Sequence, residues 1–303
     1  MIDLNKLSTE ENNPNSKDIE LQDSFEIIRR INEEDKKVAF CVEKELKSIS
    51  RLIDAILSNY TKDTRIIYIG AGTSGRLGIL DASECPPTYG VSHEKVQGII
   101  AGGNEAIFRA KENAEDSREL GKEDLININL TKNDAVIGLA ASGRTPYVMG
   151  AIEYANSIGA VTGSITCSKN SDLSGISRYP VEVIVGPEIV TGSTRMKAGT
   201  AQKMILNMIS TAIMIKIGKV FSGYMVDVKT SNQKLVERAK RIIMKTTDSD
   251  YEKTAKVLEE ASNDVKAAIA MILLNIDKKT ATEKLEKYDN NVARLIHEHS
   301  DKT

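Results

Sequence analysis

Residues 65–76 read Arg-Ile-Ile-Tyr-Ile-Gly-Ala-Gly-Thr-Ser-Gly-Arg and carry the most informative pattern in the chain. The run Ile66–Ile69 is short, apolar and rich in β-branched residues, which predicts a buried strand. Three glycines follow and permit a tight turn with a close backbone approach, and Thr73 and Ser74 place hydroxyls beside the amides of that turn. We therefore expect a strand, a turn and then a helix whose start suits an anion.

The three glycines also fit the dinucleotide-binding pattern Gly-x-Gly-x-x-Gly, so NAD binding is a competing interpretation. That pattern requires an acidic residue about 20 positions further on, at the end of the next strand, to bind a ribose hydroxyl. The next predicted strand, Val96–Ile100, runs instead into Ala-Gly-Gly. Because this acid is missing and the loop carries two hydroxyls, a sugar phosphate suits the turn better than a dinucleotide.

Outward from this stretch, short apolar runs alternate with helical stretches as far as about residue 219. Such alternation predicts an α/β fold, a doubly wound parallel sheet flanked by helices. Ligands of such sheets bind at the carboxyl ends of the strands. The predicted strands are Ile66–Ile69, Val96–Ile100, Ala135–Leu139, Ala160–Cys167 and Val181–Val185.

Two further loops at predicted strand ends repeat the chemistry of the first. The loop after the third strand contains Ser142, Arg144 and Thr145, followed by a proline suited to a helix start. The loop after the fifth strand contains Ser193 and Thr194, which we expect to cap a helix. A single loop of this kind is an ordinary helix cap. Three in one domain favour a phosphorylated small ligand held at helix N-termini.

Composition excludes several classes of protein. The 303 residues carry a net charge of −2 and include three histidines, which leaves no basic field for nucleic acid. No apolar run reaches the roughly 18 residues of a membrane span, and the N-terminus lacks the apolar region of a signal peptide. We expect a soluble, cytoplasmic protein with neither a nucleic-acid nor a membrane partner.

The cysteines and histidines do not form a metal-binding pattern. Cys41, Cys85 and Cys167 are scattered and odd in number, which fits reduced thiols better than a disulfide framework. Two of the three histidines, His297 and His299, lie in what reads as a frayed terminal helix. We therefore predict no zinc site.

The chain divides into three parts by pattern. Residues 1–59 comprise a polar, proline-punctuated arm and then two amphipathic helices. Residues 60–219 hold the predicted sheet, and residues 220–303 carry short charged helices separated by polar turns. We expect the last part to be a small all-helical C-terminal domain containing a three-helix bundle.

The chain resembles a known family over most of its length. The segment Asp81–Gly90, which reads Asp-Ala-Ser-Glu-Cys-Pro-Pro-Thr-Tyr-Gly, and the run Thr191–Thr200 are similar to those of N-acetylmuramic acid 6-phosphate etherases. This resemblance implies a sugar-isomerase (SIS) phosphosugar-binding domain over residues 60–219. The chain departs from the family's usual residues at Asn12, Asn113 and Gly223.

The resemblance implies cleavage of the lactyl ether of N-acetylmuramic acid 6-phosphate to N-acetylglucosamine 6-phosphate and D-lactate. Direct attack of water on an ether is slow because an alkoxide is a poor leaving group. Opening the sugar ring makes the C2 proton acidic, so the lactate oxygen on C3 can leave by elimination and water can then add. One base and one acid suffice, and neither a metal nor another cofactor is required.

Two glutamates match the family's active-site acids. Glu84 matches the general acid, and its neighbours Cys85, Pro86 and Pro87 suggest a water-poor setting that would raise its pKa. Glu115 matches the second acid, a base for the C2 proton. From sequence alone Glu115 would be a solvated helix residue in an acidic stretch, so its selection depends on the resemblance.

The predicted substrate-binding side chains come from the three loops. Each cationic member could equally be a charge on a helix surface, and only its position on a ligand loop selects it. The set is Thr73, Ser74, Arg76, Ser142, Arg144, Thr145, Ser193, Thr194 and Lys197.

Two other functions remain open on the sequence. An aldose-ketose isomerase acting on another phosphosugar would have a similar fold but would release no lactate. A sugar-phosphate sensor, like the related glucokinase regulatory proteins, would bind without catalysis, but such sensors are usually longer. The resemblance also implies a homodimer with the active site near the subunit interface.

Overall fold

A sheet of five parallel strands organises the first two thirds of the chain. The computed structural model describes residues 11–109, 111, 113–228, 230 and 232–300; the first ten residues of the predicted arm lie outside this part. The strands are β1 (Ile66–Gly70), β2 (Val96–Ile100), β3 (Ala135–Leu139), β4 (Val161–Thr166) and β5 (Tyr179–Glu182). Their order across the sheet is β2-β1-β3-β4-β5, and every pairing is parallel. The predicted parallel α/β fold is confirmed.

Helices cover both faces of this sheet. They are α1 (Ser24–Asp35), α2 (Lys37–Lys44), α3 (Leu46–Ser58), α4 (Gly72–Tyr89), α5 (Glu105–Phe108), α6 (Arg118–Asn127), α7 (Pro146–Ile158), α8 (Asp172–Ile176) and α9 (Lys197–Lys216). On one face Ile67 and Ile69 of β1 share a core with Val148 of α7. On the other face α4 lies so close that a Cβ on Gly78 would be 2.9 Å from the Cβ of Tyr68.

The fifth strand begins earlier than predicted. Val181–Val185 was the expected strand, whereas β5 is Tyr179–Glu182. Residues of β5 can only pair where β4 offers a partner, and β4 ends at Thr166, which pairs with Glu182. The chain then leaves the sheet toward the third loop.

In the described part of the N-terminal region, two short 3-10 helices (Pro14–Ser16 and Ile19–Leu21) precede three α-helices, where two helices were predicted. The breaks fall at Lys36, between α1 and α2, and at Glu45, between α2 and α3. A continuous helical period would put all the apolar residues on one stripe. The breaks instead allow Val42 and Ile49 to be buried while Phe25 on α1 stays 71% exposed.

The order of the strands places a crevice between β1 and β3. From β1 the chain moves to β2 on one side and then returns to β3 on the other side of β1. At such a switch point the loops that follow the two strands diverge and leave a crevice at the carboxyl edge of the sheet. The first and second loops of the sequence analysis flank this crevice.

The C-terminal part is helical except for one hairpin that the sequence did not predict. The hairpin pairs β6 (Val220–Phe221) with β7 (Tyr224–Met225). Ser222 and Gly223 at its tip both have left-handed backbone, as two-residue hairpins prefer. Because asparagine also adopts this conformation readily, glycine can replace the family's usual residue at position 223.

Five helices follow the hairpin in the described residues up to 300: α10 (Gln233–Thr247), α11 (Tyr251–Glu260), α12 (Val265–Leu274), α13 (Lys278–Lys287) and α14 (Val292–Ser300). The side chains of Asn232, Asp250, Asp264 and Asp277 each accept a hydrogen bond from a first-turn amide, which fixes where four of these helices begin. A shared apolar core includes Ile243 and Ile269.

The described chain falls into two compact units. One comprises the residues up to Glu84 together with Ser92–Ser210, and the other comprises Cys85–Val91 together with the residues from Thr211 onward. All the predicted site residues belong to the first unit. Among the described helices, none combines the length and apolar character needed to cross a membrane.

Candidate active site

The first loop joins β1 to α4 through glycines that the packing requires. A Cβ on Gly75 would lie 2.8 Å from the carbonyl oxygen of Gly70 and 2.7 Å from the side chain of Ile100. Gly72 has a φ of +52°, in the left-handed region. The predicted close approach of backbone in this turn is therefore present.

Two of the polar side chains predicted in the first loop are engaged within the protein. Ser74 is buried and donates a hydrogen bond to Oε1 of Gln202 on α9 at 2.8 Å. The guanidinium of Arg76 donates to the carbonyl oxygens of Ala106 and Ile107, both at 2.8 Å. These contacts fix the start of α4 against α9 and against the short helix α5. Thr73 lies half-buried at the helix start.

The second loop joins β3 to α7 and keeps its hydroxyls partly accessible. Thr145 is the N-cap residue of α7, but its side chain makes no capping hydrogen bond. The hydroxyl oxygen of Ser142 accepts a hydrogen bond from the amide of Arg144 at 3.4 Å. Nε of Arg144 lies 3.8 Å from the Asp172 carboxylate, so this guanidinium has an acidic neighbour.

Glu115 lies beside the second loop although it follows a different strand. Its backbone carbonyl oxygen accepts a hydrogen bond from the amide of Tyr147, in the first turn of α7, at 3.0 Å. The side chain of Glu115 is exposed, and the residue belongs to a turn rather than to the helix that the local pattern suggested. Asn113 begins this turn with a left-handed φ of +63°. Asparagine therefore replaces the family's glycine at a position where both are tolerated.

The third loop ends in a cap that the sequence analysis assigned wrongly. Ser193 and Thr194 do not cap α9, which begins at Lys197. The buried carboxylate of Glu188 instead accepts hydrogen bonds from the amides of Lys197 and Ala198, at 3.0 and 2.9 Å. A carboxylate can satisfy two amides at once and neutralise the positive end of the helix, which a hydroxyl cannot.

Lys197 is engaged in a buried ion pair. Its Nζ lies 2.6 Å from Oε2 of Glu34 on α1, and both side chains are less than 5% exposed. Burial alone would raise the pKa of Glu34, but hydrogen bonds from Lys197, Lys37 and Asn15 outweigh it and lower the pKa to about 2. Lys197 was predicted to contact the substrate, but its ammonium group is already paired with Glu34 inside the protein.

The described part of the N-terminal arm packs on the third loop. Nδ2 of Asn13 donates to the carbonyl oxygen of Pro187 at 2.8 Å, and Oγ of Ser16 donates to that of Ile189 at 2.6 Å. Asn12, one of the departures from the family pattern, accepts a hydrogen bond from the hydroxyl of Thr191. The arm therefore braces the loop that carries Ser193 and Thr194.

Glu84 lies far along α4 from the loop at its start. The expected water-poor setting is wrong for the single chain, because Ala82 and Cys85 face inward while Glu84 is exposed on the outer face. Eleven residues separate it from Thr73, which corresponds to roughly 16 Å along the helix axis. This distance is greater than a hexose phosphate extends.

Thr73 follows β1 and the Ser142–Thr145 loop follows β3, so both flank the crevice between these strands, and the backbone of Glu115 is hydrogen-bonded to the helix start that follows the second loop. The start of α9 is also near, since a Cβ on Gly199 would lie 3.5 Å from Cγ2 of Thr73. Sequence reasoning missed Glu34, Glu188 and Gln202, which support the loops from outside them. Only the Pro-Glu pair in the third loop, an acid in an otherwise apolar setting, could have indicated one of these three.

Two family models match the sheet-bearing part of the chain. Residues 48–156 match the glucokinase regulatory protein N-terminal SIS domain, and residues 119–212 match the SIS domain. Among solved structures, a phosphoheptose isomerase from Francisella tularensis is 12% identical, with a TM-score of 0.47, over 64% of this chain and all of that one.

Two curated relatives match almost the full length. An N-acetylmuramic acid 6-phosphate etherase of Clostridium botulinum (strain Langeland) is 56% identical over 98% of each chain. One of Clostridium beijerinckii is 54% identical over the same shares. With this identity along the whole chain, the protein belongs to the N-acetylmuramic acid 6-phosphate etherase family.

Proposed function

We propose that the protein cleaves the D-lactyl ether of N-acetylmuramic acid 6-phosphate and yields N-acetylglucosamine 6-phosphate and D-lactate. The single observation that carries this proposal is the hydrogen bond from the Tyr147 amide to the Glu115 carbonyl oxygen. It ties a carboxylic acid to the helix start that follows the hydroxyl loop. A base and an anion-binding loop are thereby adjacent, as a phosphosugar elimination requires.

Glu115 acts as the base that removes the C2 proton of the open-chain sugar. Its side chain is exposed, and its fixed backbone limits the positions that the carboxylate can reach. Loss of the proton gives an enolate, from which the lactate oxygen on C3 departs. Glu84 donates the proton to that oxygen, and water then adds to the unsaturated sugar.

The second loop binds the phosphate group. Thr145 is the N-cap residue of α7, but its hydroxyl makes no capping hydrogen bond, and Ser142 lies in the same loop. A helix N-terminus with accessible hydroxyls favours a dianion. Thr73, Ser193 and Thr194 contact the sugar, while Ser74, Arg76 and Lys197 hold their loops in place through the protein contacts described above.

The active enzyme is a homodimer in which Glu84 serves the partner's site. Two observations support this arrangement. Glu84 lies roughly 16 Å from the first loop of its own chain along α4. Leu80, one turn before Glu84, is 50% exposed. Other large apolar side chains are exposed as well, including Phe25 and Ile28 on α1. Exposed apolar side chains of this kind favour burial against another surface.

The protein acts in the cytoplasm as part of cell-wall amino sugar recycling or catabolism. None of its three cysteines, all within the described residues, forms a disulfide, which suits a reducing compartment. We assign substrate binding to the SIS domain, residues 60–219, and give the helical region 220–303 no role in the chemistry.

The experiment is an assay of D-lactate release from N-acetylmuramic acid 6-phosphate by the purified protein without added metal. Glu84→Ala and Glu115→Ala should each lower the rate by about 10²- to 10⁴-fold, the range that a general acid or base contributes. Ser83→Ala and Asp116→Asn change exposed neighbours and should retain activity. A folded wild-type protein that interconverts phosphosugars, or only binds them, without releasing lactate would overturn the proposal.

A further inference from the structure

A buried carboxyl group lies between α4 and α9, outside the crevice. Asp81 is 7% exposed, and its Oδ1 accepts hydrogen bonds from Nδ2 of Asn207 and Oγ of Ser210, both at 3.1 Å. Burial raises the pKa of Asp81, although hydrogen bonds with Ser210, Tyr68 and Asn207 partly oppose this effect. A polar cluster therefore joins the middle of α4 to the facing helix.

Stability alone does not require such a cluster. Well-packed apolar residues at a buried helix contact often stabilise a protein as much as hydrogen-bonded polar groups do. Directional hydrogen bonds add something that apolar packing does not, because they fix the rotation and the axial register of one helix against the other. The rotation and register of α4 determine where its exposed side chains point.

The position of the Glu84 side chain depends on this register. It follows Asp81 by three residues, so the two lie on adjacent faces of one helical turn, one facing inward and the other outward. A second tie, from Ser74 to Gln202, holds the start of α4 near the ligand loops. Both ties link α4 to α9 in the same chain direction, so the two helices run parallel. The half of α4 that carries Glu84 is held by the Asp81 contact, three residues before Glu84, and at its far end by a hydrogen bond from the Tyr89 hydroxyl to Oγ1 of Thr211 on α9 at 3.2 Å.

We propose that Asp81 is a positioning residue for the reaction. Its hydrogen bonds to Asn207 and Ser210 hold α4 at the rotation that presents Glu84 to the departing lactate oxygen. This inference rests on the proposed function, in which Glu84 is the general acid. Asp81 itself touches neither the substrate nor the reacting atoms.

The test separates the two proton transfers of the reaction. In D2O the exchange of the C2 proton reports the base, whereas lactate release reports the acid. Asp81→Ala should lower kcat for lactate release by about tenfold or more, since small misplacements of a catalytic group are costly. The KM for substrate should stay within about twofold, and C2 exchange should persist, as in Glu84→Ala.

Two further variants decide the outcome if Asp81→Ala folds poorly. Asp81→Asn retains Oδ1 as an acceptor and should restore most of the lactate release. The double variant Asn207→Ala/Ser210→Ala removes the donors from the opposite helix and should reproduce the loss of release with C2 exchange intact.

Equal loss of exchange and release in the folded variants, or no loss at all, would overturn the positioning role of Asp81. Absence of lactate from the wild type would instead overturn the proposed function. The two failures are therefore distinguishable in one set of assays.

Discussion

The ion pair between Lys197 and Glu34 joins α1 to the start of α9 inside the protein. Removing one partner of a buried pair leaves the other charge without compensation, which typically lowers the free energy of unfolding by about 3–5 kcal/mol. Glu34 also accepts hydrogen bonds from Asn15 in the arm and from Lys37. One carboxylate therefore connects the arm, α1 and the third loop.

The lowered pKa of Glu34 predicts a pH dependence of stability. Its pKa is about 2 in the folded protein against an ordinary value of 4.5. Stabilisation is therefore complete above pH 4.5 and is lost as the pH falls toward 2. Glu34→Gln should lower the free energy of unfolding by about 3 kcal/mol at pH 7, and its deficit should shrink as wild-type Glu34 becomes protonated.

Urea unfolding of both proteins at several pH values between 7 and 2 measures this difference. Glu33→Gln is the matched control, because the adjacent residue of α1 is half exposed and pairs only at the surface with Arg29. A deficit of Glu34→Gln that stayed constant over this range would contradict the assigned pKa.

At the scale of single residues, the sequence predicted which polar residues the loops carry better than it predicted the partners of their side chains. Thr73 and Ser142 follow β1 and β3, as the loop pattern predicted, while the roles of these residues and of Glu115 stay predictions. The partners of Ser74 and Lys197 could not be predicted, since Gln202 and Glu34 are distant in sequence and nothing local marks them. Long-range side-chain pairs are set by packing.

Helix α9 depends on a cap that comes from its own preceding loop. The Glu188 carboxylate accepts both first-turn amides in a buried setting. Glu188→Ala should destabilise the protein by about 2 kcal/mol, because two buried amides lose their acceptor. Denaturant midpoints measure the effect. Ser193→Ala should leave the midpoint nearly unchanged, whereas a larger loss in Ser193→Ala than in Glu188→Ala would restore the serine as the cap.

The strands were predictable because their apolar runs are buried on both faces and bounded by turn residues, as in Ile66–Gly70 and Ala135–Leu139. The breaks between α1, α2 and α3 were not, because the apolar period continues through Lys36 and Glu45. There the tertiary requirement to bury Val42 and Ile49 overrides local periodicity. The start of α9 was misplaced because the Glu188 carboxylate, earlier in the same loop, caps the helix in place of the hydroxyls of Ser193 and Thr194.

At the scale of the whole molecule, the parallel sheet brings loops from distant parts of the sequence to one edge. The resemblance supplied the chemistry, and the order of the strands explains why the first and second loops flank one crevice. The position of Glu84 does not follow from either, since it depends on how long α4 is and on what lies beyond its exposed face. The roles of the two glutamates must therefore be tested together, in the assembled protein.

Mixed dimers test whether each active site takes Glu84 from one subunit and Glu115 from the other. Glu84→Ala and Glu115→Ala homodimers are each inactive under the proposed mechanism. Random reassortment of equal amounts makes half of the dimers mixed, and each mixed dimer would contain one site with both glutamates and one site with neither. Lactate release should then recover to about a quarter of the wild-type rate in the unseparated mixture, and to about half of it in purified mixed dimers.

If each site used both glutamates of its own chain, every site in the mixed dimers would lack one of them, and no activity would return. The measurement is D-lactate release after the two variants are co-expressed and purified as mixed dimers through distinct affinity tags. Mixed dimers of Glu84→Ala with Glu84→Ala carrying the two tags provide the control for tag effects. Recovery would place Glu84 in the partner's site, the arrangement proposed from its exposed position on α4.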